Sequence, residues 1–139
     1  MNKITRRNFL KLTGAGAAAT ALGYAGGASA QIPNGIKARV VVIGGGFGGA
    51  TAAKYLRIAD PSIQVTLVEP NTKFVTCPFS NLYLGGLRTM DSITHTYGAL
   101  RTKHGVNVVH DLVTAIDPAK KTVTLKSGKH LGYDRLVVS

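Results

Sequence analysis

The sequence predicts an α/β fold, a parallel β-sheet buried on both faces and joined by helices, with an antiparallel β insert. Three observations carry that expectation. Arg39-Val40-Val41-Val42-Ile43 is a β-branched apolar run of the kind that a parallel sheet buries on both faces. Gly44-Gly45-Gly46-Phe47-Gly48-Gly49 follows it at once. An Ala-rich segment then leads to a second apolar run, Ile63-Gln64-Val65-Thr66-Leu67-Val68, so that strand, glycine turn, helix and strand make one βαβ unit.

Ahead of this unit lies a leader. Thr5-Arg6-Arg7-Asn8-Phe9-Leu10-Lys11 has the order of a twin-arginine export motif, and Leu12 to Ala28 is an apolar stretch of 17 residues. It closes on Ala28-Ser29-Ala30, whose small side chains suit a signal peptidase and place the cut before Gln31. The expected organisation is a signal peptide over residues 1–30 and a folded part over 31–139. A membrane anchor is disfavoured, because a span needs about 20 strongly apolar residues, and this stretch contains Gly14, Gly16, Gly23, Gly26 and Gly27. The leader points to the periplasm. Twin-arginine passengers cross already folded and commonly carry a cofactor acquired inside, so the leader predicts a cofactor before any motif does.

The 139 residues suffice for one ordinary domain, and 45% hydrophobic with 17% charged residues supports a packed core. Net charge is +11; removing Lys3, Arg6, Arg7 and Lys11 with the leader leaves +7. The basic residues are scattered from Lys3 to Arg135 with no run beyond adjacent pairs, which excludes a nucleic-acid stripe. Cys77 is the single cysteine, so no internal disulfide forms. His95, His104, His110 and His130 lack metal-site spacing.

Gly44, Gly46 and Gly49 occupy the G-x-G-x-x-G positions of a Rossmann-like dinucleotide fold. The first permits a tight turn, the second lets a pyrophosphate approach the backbone, and the third lets helix pack on strand. Gly45, Phe47 and Gly48 complete the loop that offers N–H groups to phosphate. Phe47 to Ala59 reads as the first helix, stopped by Asp60-Pro61. Glu69 closes the second strand, 20 residues beyond Gly49, where an acidic side chain accepts the adenosine ribose hydroxyls and repels a 2′-phosphate. NAD and FAD present the same ADP moiety to such a unit; its place at the start of the mature chain favours FAD.

Further along, Ser92 is expected to cap one helix running to about His104, with Gly105 ending it and Val106 to Val109 forming a third parallel strand. Leu112 to Asp117, a turn at Pro118 to Lys121, and Val123 to Leu125 read as antiparallel β-structure. Lys126 to Lys129 is a second turn, and Leu136 to Val138 another apolar strand.

The stretch from Val40 to Gly86, with Gly48-Gly49-Ala50-Thr51-Ala52-Ala53-Lys54-Tyr55, Ala59 to Ile63, Glu69-Pro70-Asn71-Thr72 and Thr76-Cys77-x-x-Ser80-Asn81, resembles the flavoprotein subunit of flavocytochrome c sulfide dehydrogenases. The resemblance continues to Tyr133-Asp134-Arg135 and so covers nearly all of the mature chain. It implies FAD bonded covalently through the sulfur of Cys77 to the 8α-methyl carbon. It implies that the backbone near Val113 contacts adenine. It also implies a sulfide substrate, a cytochrome c partner subunit and a redox disulfide formed by cysteines lying beyond Ser139, with the chain ending before the family's second domain and holding no catalytic residue itself. Two alternatives stay open: a sulfide:quinone reductase-like flavoprotein, and a truncated, non-catalytic ADP- or FAD-binding module.

Overall fold

A computed structural model describes residues 35–139; the leader, residues 1–30, lies outside them. Strand β1 (Ala38–Ile43) lies at the centre, paired in parallel with β2 (Ile63–Val68) on one side and with β9 (Arg135–Val138) on the other. Strand β5 (Asn107–Val109) adds to β2, giving the parallel order β5-β2-β1-β9. Val40, Val41 and Val42 are all buried, as expected for a strand covered on both faces.

Alternation along β1 divides the core in two. Val40 and Val42 join Val65, Leu67, Val108 and Ala53 on the face covered by helix α1 (Phe47–Ala59) and helix α3 (Gly98–His104). Val41 faces the other way, with Val68, Val123, Leu125 and Tyr133, toward an antiparallel sheet of β6 (Val113–Asp117), β7 (Thr122–Leu125) and β8 (His130–Gly132). Three layers result: helices, parallel sheet, antiparallel sheet. This is the α/β fold with an antiparallel insert that the sequence predicts.

The stretch from Ser92 to His104 departs from the expected single helix. Met90–Ile93 forms a 3₁₀ turn, strand β4 (Thr94–Thr96) follows, and α3 begins only at Gly98 with Tyr97 at its N-cap position. Ser92 caps nothing, because its hydroxyl donates back to the Thr89 carbonyl. The reason is a distant partner: β4 pairs antiparallel with β3 (Lys73–Val75), a strand inside what reads as a loop, and its β-branched threonines suit that pairing. Ile93, Tyr97 and Leu100 reach the core at helix-like spacing from three different local structures. Between β3 and the 3₁₀ turn lies helix α2 (Ser80–Leu84), five residues long. No helix among the described residues is long and apolar enough to cross a membrane.

Candidate functional site

The glycine turn joins β1 to α1 at the carboxyl edge of the parallel sheet, where open α/β sheets hold their ligands. Gly44 adopts φ +95° and its N–H donates to Val68 O. Gly49 carries its Cα so close to the Gly44 carbonyl that a Cβ would overlap the oxygen, which brings the helix start onto the strand end. Gly46 has φ −66° and nothing within 4 Å of a Cβ placed on it. The first backbone bond of α1 runs from Ala50 N–H to Gly46 O, and no side chain caps the helix. Phe47, Gly48 and Gly49 thus have N–H groups with no helical acceptor, at the positive end of a 13-residue helix. Open space over Gly46 and free donors beside it fit a pyrophosphate.

Glu69 is buried at the end of β2 and is committed at both oxygens. Its Oε2 accepts the Gly45 N–H at 2.7 Å, and its Oε1 accepts the Asn71 N–H and Nδ2 at 2.9 and 2.8 Å. Spacing identifies the residue but not this role as anchor of the glycine turn. A carboxylate has roughly four acceptor sites, so those bonds leave Glu69 capacity for a further donor. His110 Nδ1 lies 3.1 Å from the Glu69 carbonyl oxygen, fixing the next loop against it.

Tyr97 is the residue sequence reasoning missed. It is buried, its hydroxyl donates to Gly45 O at 3.1 Å, and burial followed by the nearby Glu69 carboxylate pushes its pKa up, keeping it a neutral donor. No spacing rule marks it; its signal is a large aromatic inside a stretch that reads as an ordinary helix.

Beside the turn lies a pocket of about 230 Å³, lined among others by Gly45, Gly46, Phe47, Phe74, Thr76 and Tyr97. Phe47 and Phe74 meet edge to face with centroids 5.2 Å apart. Thr76 is buried, its N–H donating to Ile93 O and its hydroxyl to Pro78 O. Cys77, next in the chain, is exposed, and its carbonyl accepts the Ser80 N–H in a tight turn that puts Phe79 at φ 68°. The glycine turn and Thr76 thus line one pocket, with Glu69 bonded to the turn at Gly45 and Cys77 next to Thr76 in the chain. Val113 opens β6 and packs, half-buried, against the cluster of Val41, Val68 and Leu125 on the other face of the sheet. No group of three or more His, Cys, Asp or Glu among the described residues could hold a metal ion.

Comparison with known proteins agrees with this fold. The twin-arginine translocation signal profile matches residues 3–23, so the chain carries an export signal directing it to the periplasm. Over 43 residues the chain is 81% identical to the flavoprotein chain of a flavocytochrome c sulfide dehydrogenase from Chlorobaculum thiosulfatiphilum, covering 31% of this chain and 90% of that sequence. It is 37% identical over 101 residues to a sulfide-quinone reductase of Aquifex aeolicus, covering 72% of this chain and 23% of the relative. The X-ray structure of the Aquifex aeolicus sulfide:quinone oxidoreductase superposes with a TM-score of 0.67 at 35% identity, over 72% of this chain and 23% of that one. The water-forming NADH oxidase of Lactobacillus brevis gives 0.67 at 31% identity, over 73% of this chain and 24% of that one. The chain therefore spans about a quarter of the length of these longer relatives. Residues 38–139, from β1 to the last residue, match the pyridine nucleotide-disulphide oxidoreductase profile, and the chain belongs to that family.

Proposed function

We propose that this chain is the FAD-holding part of an exported flavoprotein that oxidises sulfide and passes the electrons to a cytochrome c, with Cys77 as the point of covalent attachment. One observation carries the reading: a single pocket is lined by Gly45 and Gly46 of the phosphate-binding turn and by Thr76, the neighbour of Cys77. The 81% identity to a flavocytochrome c flavoprotein chain supports sulfide and a cytochrome as the two ends of the electron path.

In this reading Gly46, Phe47, Gly48 and Gly49 donate backbone N–H bonds to the pyrophosphate, Glu69 accepts the ribose hydroxyls, and the backbone at Val113 borders the adenine. Bound FAD supplies an acceptor that takes two electrons and releases them singly. The chain's own residues bind and orient it. The turn supplies donors whose solvation cost the helix start already bears, Glu69 discriminates against a 2′-phosphate by like charge, and Cys77 prevents loss of the group outside the cytoplasm. Cys77 is the single cysteine of the sequence, so in this reading a redox disulfide comes from residues outside these 139, which by themselves are expected not to turn over sulfide. Cleavage before Gln31 would leave residues 31–139 as the folded part.

The test is to denature the exported, full-length flavoprotein and weigh it. A mass higher than the chain by one FAD, lost in Cys77→Ser, is the expected result; a bare chain mass overturns the covalent assignment. A quinone acceptor is the second reading, favoured by 37% identity across 101 residues to a sulfide-quinone reductase. Sulfide-dependent reduction of cytochrome c but not of a soluble quinone by the same preparation separates the two. Failure to retain any flavin would leave a non-catalytic module.

A further inference from the structure

Residue 45 has both backbone groups tied down. Its N–H donates to Glu69 Oε2 at 2.7 Å and its C=O accepts the Tyr97 hydroxyl at 3.1 Å, and both bonds are buried. The Tyr97 ring lies over the same residue: a Cβ on Gly45 would stand 2.8 Å from Cε1 and 2.6 Å from the hydroxyl oxygen. The peptide bond from Gly45 to Gly46 is trans, and in a planar trans peptide the C=O and N–H point in opposite directions. Drawing the Gly45 C=O toward Tyr97 therefore turns the Gly46 N–H away from it, and a Cβ on Gly46 would meet nothing within 4 Å.

We propose that Tyr97 is a positioning residue for the diphosphate of the bound dinucleotide: by holding the Gly45 C=O, its hydroxyl aims the Gly46 N–H at the phosphate. The inference rests on the dinucleotide reading above. Tyr97 is itself held firmly. It packs in the core with Val42, Leu67 and Val108, and its carbonyl accepts the Leu100 N–H in the first turn of α3. It also follows β4 directly, and β4 pairs with β3, the strand that leads into Thr76 and Cys77. One side chain thus ties the phosphate turn to the ribbon carrying the cysteine.

Titration of ADP and of adenosine into the full-length, flavin-free protein carrying Cys77→Ser, with and without Tyr97→Phe, tests the proposal. Phenylalanine keeps the ring and removes only the hydroxyl. ADP affinity is expected to fall about tenfold, the worth of one buried hydrogen bond, while adenosine affinity changes by less than about twofold. The Gly46 amide resonance, shifted by ADP in the parent, is expected to move less in the variant. Equal losses for ADP and adenosine, no loss for either, or an amide spectrum showing that Tyr97→Phe does not fold would each overturn the positioning role. A parent chain that binds neither ADP nor adenosine instead removes the dinucleotide reading and Tyr97's role with it.

Discussion

Gly49 packs against the Gly44 carbonyl so closely that a side-chain carbon at residue 49 would overlap the oxygen. The Cβ would also stand 3.3 Å from a Val42 methyl, so backbone and core both resist it. Gly49→Ala is therefore expected to cost about 1–3 kcal/mol, read as a lower urea midpoint, because neither neighbour is a flexible side-chain end. Gly46 behaves oppositely. Its φ of −66° suits any residue and nothing surrounds its missing Cβ. Gly46→Ala should leave the unfolding free energy within about 0.5 kcal/mol of the parent while sharply weakening ADP binding, since the methyl occupies the space proposed for a phosphate. Equal stability losses at 46 and 49 would contradict this division.

The same two glycines show what the sequence makes legible. The run through Val40 to Val42, the turn, the helix over Phe47–Ala59 and the strand over Ile63–Val68 stand where local pattern predicts, because each obeys its own periodicity and ends at a residue with a steric reason to stop. Glu69 is found by spacing, yet its bonds to Gly45 and Asn71 are not, since they depend on how the β2 end approaches the turn in space. Strand β4 is hidden because its partner lies about twenty residues earlier, in a stretch that resembles a loop. Tyr97 is hidden with it: once Thr94–Thr96 reads as helix, Tyr97 becomes one more apolar position on a helix face.

Asp134 links the start of β9 to β1. Its Oδ2 accepts the Arg39 N–H at 2.6 Å and lies 3.5 Å from Arg39 Nε, and its own N–H donates to Arg39 O at 2.8 Å. The Arg39 backbone bond, then the guanidinium, holds the Asp134 carboxyl below the ordinary value of 3.8. A folded-state value below the unfolded one means the stabilisation is complete above about pH 4 and is lost as pH falls through the folded value. Asp134→Asn should cost about 1 kcal/mol at neutral pH. The gap between parent and variant should close as the acid limb is descended in a pH series of thermal melts, and a gap that widens below pH 4 would refute the assignment.

Arg57 closes the far end of the helical layer. Its Nε donates to His104 O at 2.9 Å, and one Nη donates to Ile63 O at 2.7 Å and to Pro61 O, so a single guanidinium joins α1, the end of α3 and the start of β2. A lysine ammonium is a point donor and cannot span three carbonyls in fixed directions. Arg57→Lys is expected to lower stability by about 1–2 kcal/mol. It should also speed hydrogen exchange of the α3 amides more than those of β1. Unchanged exchange in α3 would show that Arg57 does not hold the helix.

Cys77 offers a readout that needs no turnover. It is the sole cysteine and its side chain is exposed, so thiol labelling reports one site with values between none and one per chain. Chain prepared without flavin should take up one maleimide, because neither burial nor a disulfide shields the sulfur. Chain exported with its cofactor should take up none, even after unfolding, because a thioether has no proton to lose and is not a nucleophile of thiolate strength. Unfolding separates the two ways a thiol can be silent: a merely covered Cys77 becomes reactive in denaturant, and a bonded one does not. Full labelling of denatured, flavin-containing protein would therefore place the attachment elsewhere or make it non-covalent, while leaving the proposed roles of the glycine turn and Glu69 untouched.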